Sequence, residues 1–138
     1  MFLMWVAKIK LKHDCIIGNL CKKFNVVMQS LDLNEEKKDG KFLTSSIHQL
    51  IGEEKSIKRF ITDLKSDKRT EYLEFNGQTL FLVENAKKKP VSQFSKKMFF
   101  VKPVVIDVQG DEYWEIASHQ KEELMDFISR VKQLVDEY

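Results

Sequence analysis

An Asn-Gly pair at 76–77, set between two segments rich in β-forming residues, is the feature that most restricts the fold of this 138-residue chain. Asn and Gly readily adopt the positive φ angles of a two-residue type I′ turn, which joins neighbouring antiparallel strands. The arms "EYLEF" and "QTLFLVE" are rich in apolar and β-branched or aromatic residues on both sides of the pair. The sequence therefore predicts a β-hairpin over 71–84, and with it an antiparallel sheet.

The segment before this hairpin combines strand patterns with helix patterns. "MWVAKIKLKH" alternates apolar residues with lysines, which indicates a strand with one buried side. Apolar residues over 16–24, and again over 57–64, follow the three- and four-residue spacing of helices that lie on a sheet. Asp14 is the predicted N-cap of the first helix, and Cys21 falls on its buried face.

The order of these elements predicts the fold class. "VVMQSLDL" and "FLTSSIHQLIG" are predicted strands joined by the polar turn "EEKKDGK", so residues 1–86 follow the order βαββαβ. This order predicts a ferredoxin-like α+β domain, with an antiparallel sheet and both helices on one face. Residues 87–97 are basic and predict an exposed linker. A further β-hairpin, around Gly110, and a C-terminal helix that packs on the first unit are predicted for residues 98–138.

Charge and cysteine content narrow the possible functions. The net charge of +2, from 23 basic and 21 acidic residues, is too balanced to predict binding to nucleic acid or to a membrane surface. Two cysteines six positions apart make no disulfide framework and favour a reducing compartment. The opening "MFLMWVA" lacks a leading basic region and is interrupted at Lys8, so it predicts neither a signal peptide nor a membrane span. The expected location is the cytoplasm.

The stretch "KLKHDCIIGNLCKKF" contains the residues best suited to chemistry. At the first position of a helix, Cys15 would have its thiolate stabilised by unpaired amides, and the adjacent His13 could act as a base. The structural interpretation is that Asp14 caps the helix, Cys15 is a small first-turn residue and Cys21 lies in the core. We favour the structural interpretation, and a thiol-based redox sensor or thiol enzyme centred on Cys15 is the alternative.

Neither a metal nor a cofactor is expected. Zinc sites are normally anchored by a short pair such as C-x-x-C or H-x-x-x-H, and the sequence contains neither. It also lacks a glycine-rich phosphate loop and an H-E-x-x-H motif. The chain is therefore predicted to be non-enzymatic, with no bound metal and no cofactor.

A polar row on the third predicted strand is the expected ligand or interface face. In "LTSSIH", Thr44, Ser46 and His48 alternate with the other three residues and therefore lie on one side of the strand. In a ferredoxin-like sheet the first and third strands are central neighbours, which would place the lysines of the first strand on the same open face. The predicted face consists of Thr44, Ser46 and His48 together with Lys8, Lys10 and Lys12. It would suit a small polar ligand, an anion or a second subunit better than RNA, because it offers no aromatic side chains for base stacking.

Two segments carry a resemblance to a known family. "MWVAKIKLKHDCIIGNLCKKFNV" and "FFVKPVVIDVQGDEYWEIASHQKEELMDFI" resemble the N-terminal regions of archaeal transcription regulators of the bacterio-opsin-activator type. The similarity extends over most of the chain. It implies a regulatory domain that binds a small-molecule effector or a second subunit, as a homodimer, and that governs a helix-turn-helix module. That module is not in this sequence, so DNA contact is expected only through it.

Three functions therefore remain open. The leading hypothesis is a non-enzymatic sensing domain, and the second is thiol chemistry at Cys15. The third is direct nucleic-acid binding through the lysine face and through Lys87 to Lys89, which predicts an affinity that falls steeply with salt.

Overall fold

The structure is a computed structural model that describes residues 3–12, 15–87 and 97–134. In these residues, eight strands form one antiparallel sheet and three helices accompany it, so the predicted α+β class is confirmed. The strands are β1 (Trp5–Leu11), β2 (Val27–Lys38), β3 (Lys41–Ile51), β4 (Thr70–Asn76), β5 (Thr79–Ala86), β6 (Met98–Phe100), β7 (Val104–Ile106) and β8 (Glu112–Ser118). The helices are α1 (Ile16–Phe24), α2 (Glu54–Ser66) and α3 (Lys121–Leu134). Most of the predicted linker, residues 88–96, lies outside the described residues.

The strand order differs from the ferredoxin-like order. Along the sheet the strands run β1-β8-β7-β2-β3-β5-β4, and β6 also pairs with β8. β1 pairs over its whole length with β8, from Trp5 opposite Ser118 to Leu11 opposite Glu112. The prediction that the first and third strands are neighbours is therefore wrong, because the hairpin of β7 and β8 lies between β1 and β2. This pairing lets the apolar side of β1 pack with β8 and α3 in one cluster.

The turns follow the sequence signals. The hairpin forms where predicted, but its turn lies one residue later than the Asn-Gly pair: Asn76 pairs with Thr79, so the turn residues are Gly77 and Gln78. Only Gly77 has a positive φ, 66°, which fits a type II′ turn and not the predicted type I′ turn. The first hairpin is longer than predicted: β2 continues to Lys38, and the turn itself is only Asp39 and Gly40, both with positive φ. The charged residues before this turn belong to the strand because each has a partner on β3.

The two sides of the sheet, called here the inner face and the outer face, have different coverings. α1 and α2 lie over the inner side of β2, β3 and β5, where their apolar stripes make one buried cluster. α3 lies over the inner side of β1 and β8 and makes a second cluster around Trp114 and Phe127. The register of the paired strands places both clusters on the same face. None of the helices in the described part of the chain is long and apolar enough to cross a membrane.

A close approach of two glycines joins α1 to the hairpin of β7 and β8. Gly110 has a φ of 81°, and a Cβ atom added there would lie 2.9 Å from the carbonyl oxygen of Gly18. A Cβ added to Gly18 would lie 3.3 Å from the carbonyl oxygen of Gly110. The absence of side chains at both positions therefore lets the start of α1 contact the hairpin turn directly.

Candidate functional site

A cavity of about 300 Å³ opens on the inner face where the two hydrophobic clusters meet. Val104 of β7 contacts both clusters and lies in the cavity wall. The volume is at the small end of the range for ligand-binding pockets. Its apolar wall includes Ile16, Ile17, Phe100, Val104, Ile106 and Trp114.

A buried histidine between two serines forms the polar floor of this cavity. His48 of β3 is 5% exposed, and its Nδ1 lies 2.6 Å from Oγ of Ser30. Its Nε2 lies 2.7 Å from Oγ of Ser46. Ser30 is the partner of His48 across the β2–β3 ladder, and Ser46 is two residues earlier on the same side of β3. Strand pairing and alternation thus bring the three side chains together.

The histidine is neutral at ordinary pH. Burial lowers the pKa of His48 from 6.5 to about 4, because the interior disfavours the charged imidazolium. A neutral imidazole has one N–H and one lone pair, so one serine donates to the ring and the other accepts from it. The accepting serine still has a hydroxyl hydrogen to donate. The floor can therefore present a donor and an acceptor to a ligand, and the tautomer decides which serine does which.

Cys15 and Glu112 form a second polar group at the cavity. Cys15 is the N-cap of α1, and its Sγ accepts a hydrogen bond from the backbone N–H of Gly18 at 3.2 Å. The same thiol donates to Oε2 of Glu112 at 3.8 Å, and Oε1 of Glu112 accepts from Nε1 of Trp114 at 3.0 Å. The prediction that Asp14 is the N-cap is therefore wrong. Asp14 itself, like His13, lies outside the described residues.

Charged and polar side chains complete the remaining wall. Arg69 donates to Asp67 through Nε at 3.0 Å and Nη2 at 3.1 Å, a paired contact that orients its guanidinium. This hydrogen bond lowers the pKa of Asp67. The amide of Asn85 donates to Glu71 Oε1 at 2.8 Å and to the carbonyl of Lys68. The polar residues of this wall are Asp32, Thr44, Arg69, Glu84 and Asn85.

The structure separates the two halves of the predicted ligand face. The three polar residues of β3, Thr44, Ser46 and His48, line the cavity on the inner face. The lysines of β1 do not join them: Lys8 pairs with Glu115 and Lys10 with Tyr113, on the outer side of β8. The prediction of one shared face is therefore wrong. Its cause is the strand order, since β1 lies four positions away from β3.

The lysines have other contacts. Lys10 and Lys12 place their ammonium groups 3.7 and 3.6 Å from the carboxylate of Asp111. Lys10 also lies over the ring of Tyr113. These contacts hold the lysines at the end of the β7–β8 hairpin, away from the cavity.

The two cysteines have different environments. Cys21 is fully buried among the apolar residues of α1, as predicted, and burial raises the pKa of its thiol to about 12. Cys15 is only partly buried and lines the cavity. His48, the histidine that lines the same cavity, has a serine hydroxyl at each ring nitrogen. Over residues 3–12, 15–87 and 97–134, no group of three or more His, Cys, Asp or Glu side chains could hold a metal ion.

Several cavity residues were not predicted from the sequence. Ser30 and Asp32 alternate with the buried Met28 on β2, and this alternation is the signal that places them on the inner face. Glu112 is two residues before Trp114 on β8, so the two side chains share a side of the strand. Neither alternation indicates a cavity, because the cavity depends on which strands become neighbours in the sheet.

Comparisons with known proteins add no relative to this description. No protein-family model matches the chain, and neither a curated protein nor a solved structure matches it.

Proposed function

We propose that this chain is a non-enzymatic sensing domain that binds a small amphipathic molecule in the inner-face cavity. The observation that carries the proposal is the Ser30–His48–Ser46 group at the floor of a cavity with an apolar wall. Ligand pockets typically combine a mostly apolar lining with a few polar groups that fix the ligand's orientation. A buried polar group in a cavity wall offers such an orienting contact without a charge.

The lining defines the kind of molecule. The apolar side chains and the ring of Trp114 would contact a flat apolar body. The serine hydroxyls would donate to, or accept from, a carbonyl or hydroxyl of the ligand. The volume of about 300 Å³ equals that of about ten water molecules in the liquid, so the ligand is of metabolite size.

A route from the cavity to the C-terminal helix supports a regulatory role. Trp114 lines the cavity and also stacks on Phe127 of α3, with ring centroids 6.1 Å apart and an interplanar angle of 19°. A ligand that contacts Trp114 would therefore bias the position or stability of α3 if it binds one arrangement better than another. In the archaeal-regulator hypothesis, α3 leads toward the helix-turn-helix module, so this contact would transmit occupancy to the part that reads DNA.

The binding test uses Trp114 as its reporter. The chain has two tryptophans, and a Trp5→Phe variant leaves Trp114 alone. In this variant we expect a saturable change in fluorescence with members of a library of one- and two-ring fragments that carry a hydrogen-bond acceptor. Hydrogen exchange in α3 is expected to slow in the presence of the same fragments.

Matched variants locate the binding. Thr44→Phe narrows the cavity from β3, whereas Thr62→Phe adds the same ring to the exposed side of α2. Binding should be lost in the first variant and retained in the second. The proposal fails if no fragment gives a saturable change, or if the response survives Thr44→Phe.

Thiol chemistry at Cys15 is the second candidate, favoured by the opening of this thiol onto the same cavity. Its test is alkylation by iodoacetamide, followed by mass spectrometry. Cys15→Ser leaves the buried Cys21 and provides the control. An alkylation rate of Cys15 at pH 7 no greater than that of free cysteine removes this candidate.

A further inference from the structure

We propose that a second copy of this chain covers the outer face of the sheet, so that two sheets pack face to face as a homodimer. This inference does not depend on the ligand. The outer face is apolar along its centre although all three helices lie on the other side. Leu31, Ile47 and Tyr72 are 42%, 36% and 49% exposed there.

An open sheet face normally alternates to polar residues, so this surface is unusual. In register across β2, β3 and β5, Leu31 is opposite Ile47 and Ile47 is opposite Phe81. Phe81 meets Tyr72 edge to face, with ring centroids 6.2 Å apart. Contiguous exposed apolar surface of this kind marks an interaction site.

Charged residues of opposite sign lie at the two edges of the outer face. The row of Leu31, Ile47 and Phe81 ends at Glu74 on the β4 edge. When the register of β7 with β2 and β8 is extended by two residues at most, through Pro103, the same row reaches Glu115 on β8 and Lys8 at the β1 edge. Lys8 thus stands at one end of the row and Glu74 at the other, and Glu115, between Lys8 and the apolar centre, is paired with the ammonium group of Lys102 at 3.5 Å.

This arrangement is complementary to itself under two-fold symmetry. β2 is the fourth of the seven strands in the sheet order. A two-fold axis parallel to β2 and passing over it places β1 of one copy opposite β4 of the other. Lys8 then faces the partner's Glu74, and Leu31 faces the partner's Leu31. An isologous interface requires a patch that matches itself in this way.

The size of the face agrees with a stable dimer. Seven strands at a spacing of about 4.8 Å and seven residues at about 3.3 Å each give a face of roughly 700 Å². A standard interface buries about 800 Å² on each partner. Two sheets stacked with nearly aligned strands are a common way to bury such a face.

Sedimentation equilibrium tests the proposal, with the wild-type chain expected to be dimeric. Ile47→Asp places a charge at the centre of the row and should raise the dimer dissociation constant at least about tenfold. Met125→Asp is the matched control, because Met125 is 52% exposed on α3, away from the outer face. It should leave the dimer unchanged.

A charge exchange makes the test independent of any loss of folding in Ile47→Asp. Lys8→Glu alone and Glu74→Lys alone should each weaken the dimer, by about three- to tenfold at low salt, and the double variant should recover most of the loss. A monomeric wild-type chain overturns the proposal. So does a dimer that tolerates Ile47→Asp, or one in which the two charge reversals add without recovery.

Discussion

The inner and outer faces of the sheet are built from alternate residues of the same strands, yet they solve opposite problems. On β3, Ser46 and His48 are buried beneath the helices, whereas Ile47 between them is 36% exposed. The polar residues are inside because they form hydrogen bonds with one another. The apolar residue is outside, on the face that none of the three described helices covers. Polarity alone therefore does not decide which side of a strand faces the core.

The largest expected effect comes from truncating two neighbouring residues, one on each face. Leu50 of β3 is fully buried on the inner face, and Ile51 is 50% exposed on the outer face. Leu50→Ala should lower the free energy of unfolding by about 2–5 kcal/mol, because it leaves a cavity in the core. Ile51→Ala should cost less than about 1 kcal/mol. Urea titration of both variants measures the two values, and equal losses would show that the outer face is as well packed as the inner one.

Acid should selectively weaken the inner face through His48. Its pKa is about 4 in the fold and 6.5 in the unfolded chain, so the fold favours the neutral ring. The stabilisation is complete above pH 6.5 and is lost as the pH falls toward 4, with a total of about 3 kcal/mol. The His48→Gln variant should be less stable than the wild type at pH 7, but its free energy of unfolding should change less between pH 6.5 and pH 4. Observation of the His48 imidazole by NMR checks the pKa directly, and a midpoint near 6.5 would contradict the assignment.

The contact between α1 and the β7–β8 hairpin can be tested with two glycines of similar backbone angle. Gly110 and Gly40 have φ values of 81° and 78°, but an added Cβ meets backbone only at Gly110. Both Ala variants should bear the cost of a left-handed residue. Gly110→Ala should lose about 1–3 kcal/mol more, because it crowds the carbonyl of Gly18. Thermal unfolding of the two variants measures the difference. If Gly110→Ala loses no more stability than Gly40→Ala, then α1 can shift to accommodate the added Cβ without destabilising the fold.

The smallest expected effect concerns the carboxylate beside the cavity. Glu112→Ala removes the acceptor of the Trp114 indole N–H, whereas Glu112→Gln keeps an oxygen in place. We expect Ala to be less stable than Gln by about 1 kcal/mol, the low end for an unpaired buried donor, because the cavity can admit water. Urea unfolding measures the difference. A Gln variant as unstable as the Ala variant would show that charge, and not the hydrogen bond, is what the site requires.

Local signals predicted most of the elements. The Asn76-Gly77 turn, the turn at Gly110 and the apolar stripes of the helices all gave elements near their observed positions. Cys21 follows from the helical period alone and is buried as expected. These features depend on residues close together in the chain, where turn chemistry and side-chain spacing are decisive.

The neighbours of each strand could not be predicted in the same way. Period-two alternation places Ser46 and His48 on one side of β3, but it does not say which side the helices cover. The pairing of β1 with β8 joins distant parts of the chain, and no local pattern indicates it. The cavity depends on both choices, so its Ser30 and Glu112 could not be assigned to a common site from the sequence.

The pairing of β1 with β8 also restricts the order in which the strands can pair during synthesis. The two strands are separated by roughly one hundred residues, which a ribosome adds in about 5–20 s. During that interval β2 to β5 can form their hairpins, whereas β1 cannot pair because β8 has not yet been synthesised. Its opening residues Trp5 and Val6 remain 43% and 49% exposed even in the finished fold. Of the eight described strands, β1 is therefore synthesised first, yet it is among the last that can enter the sheet.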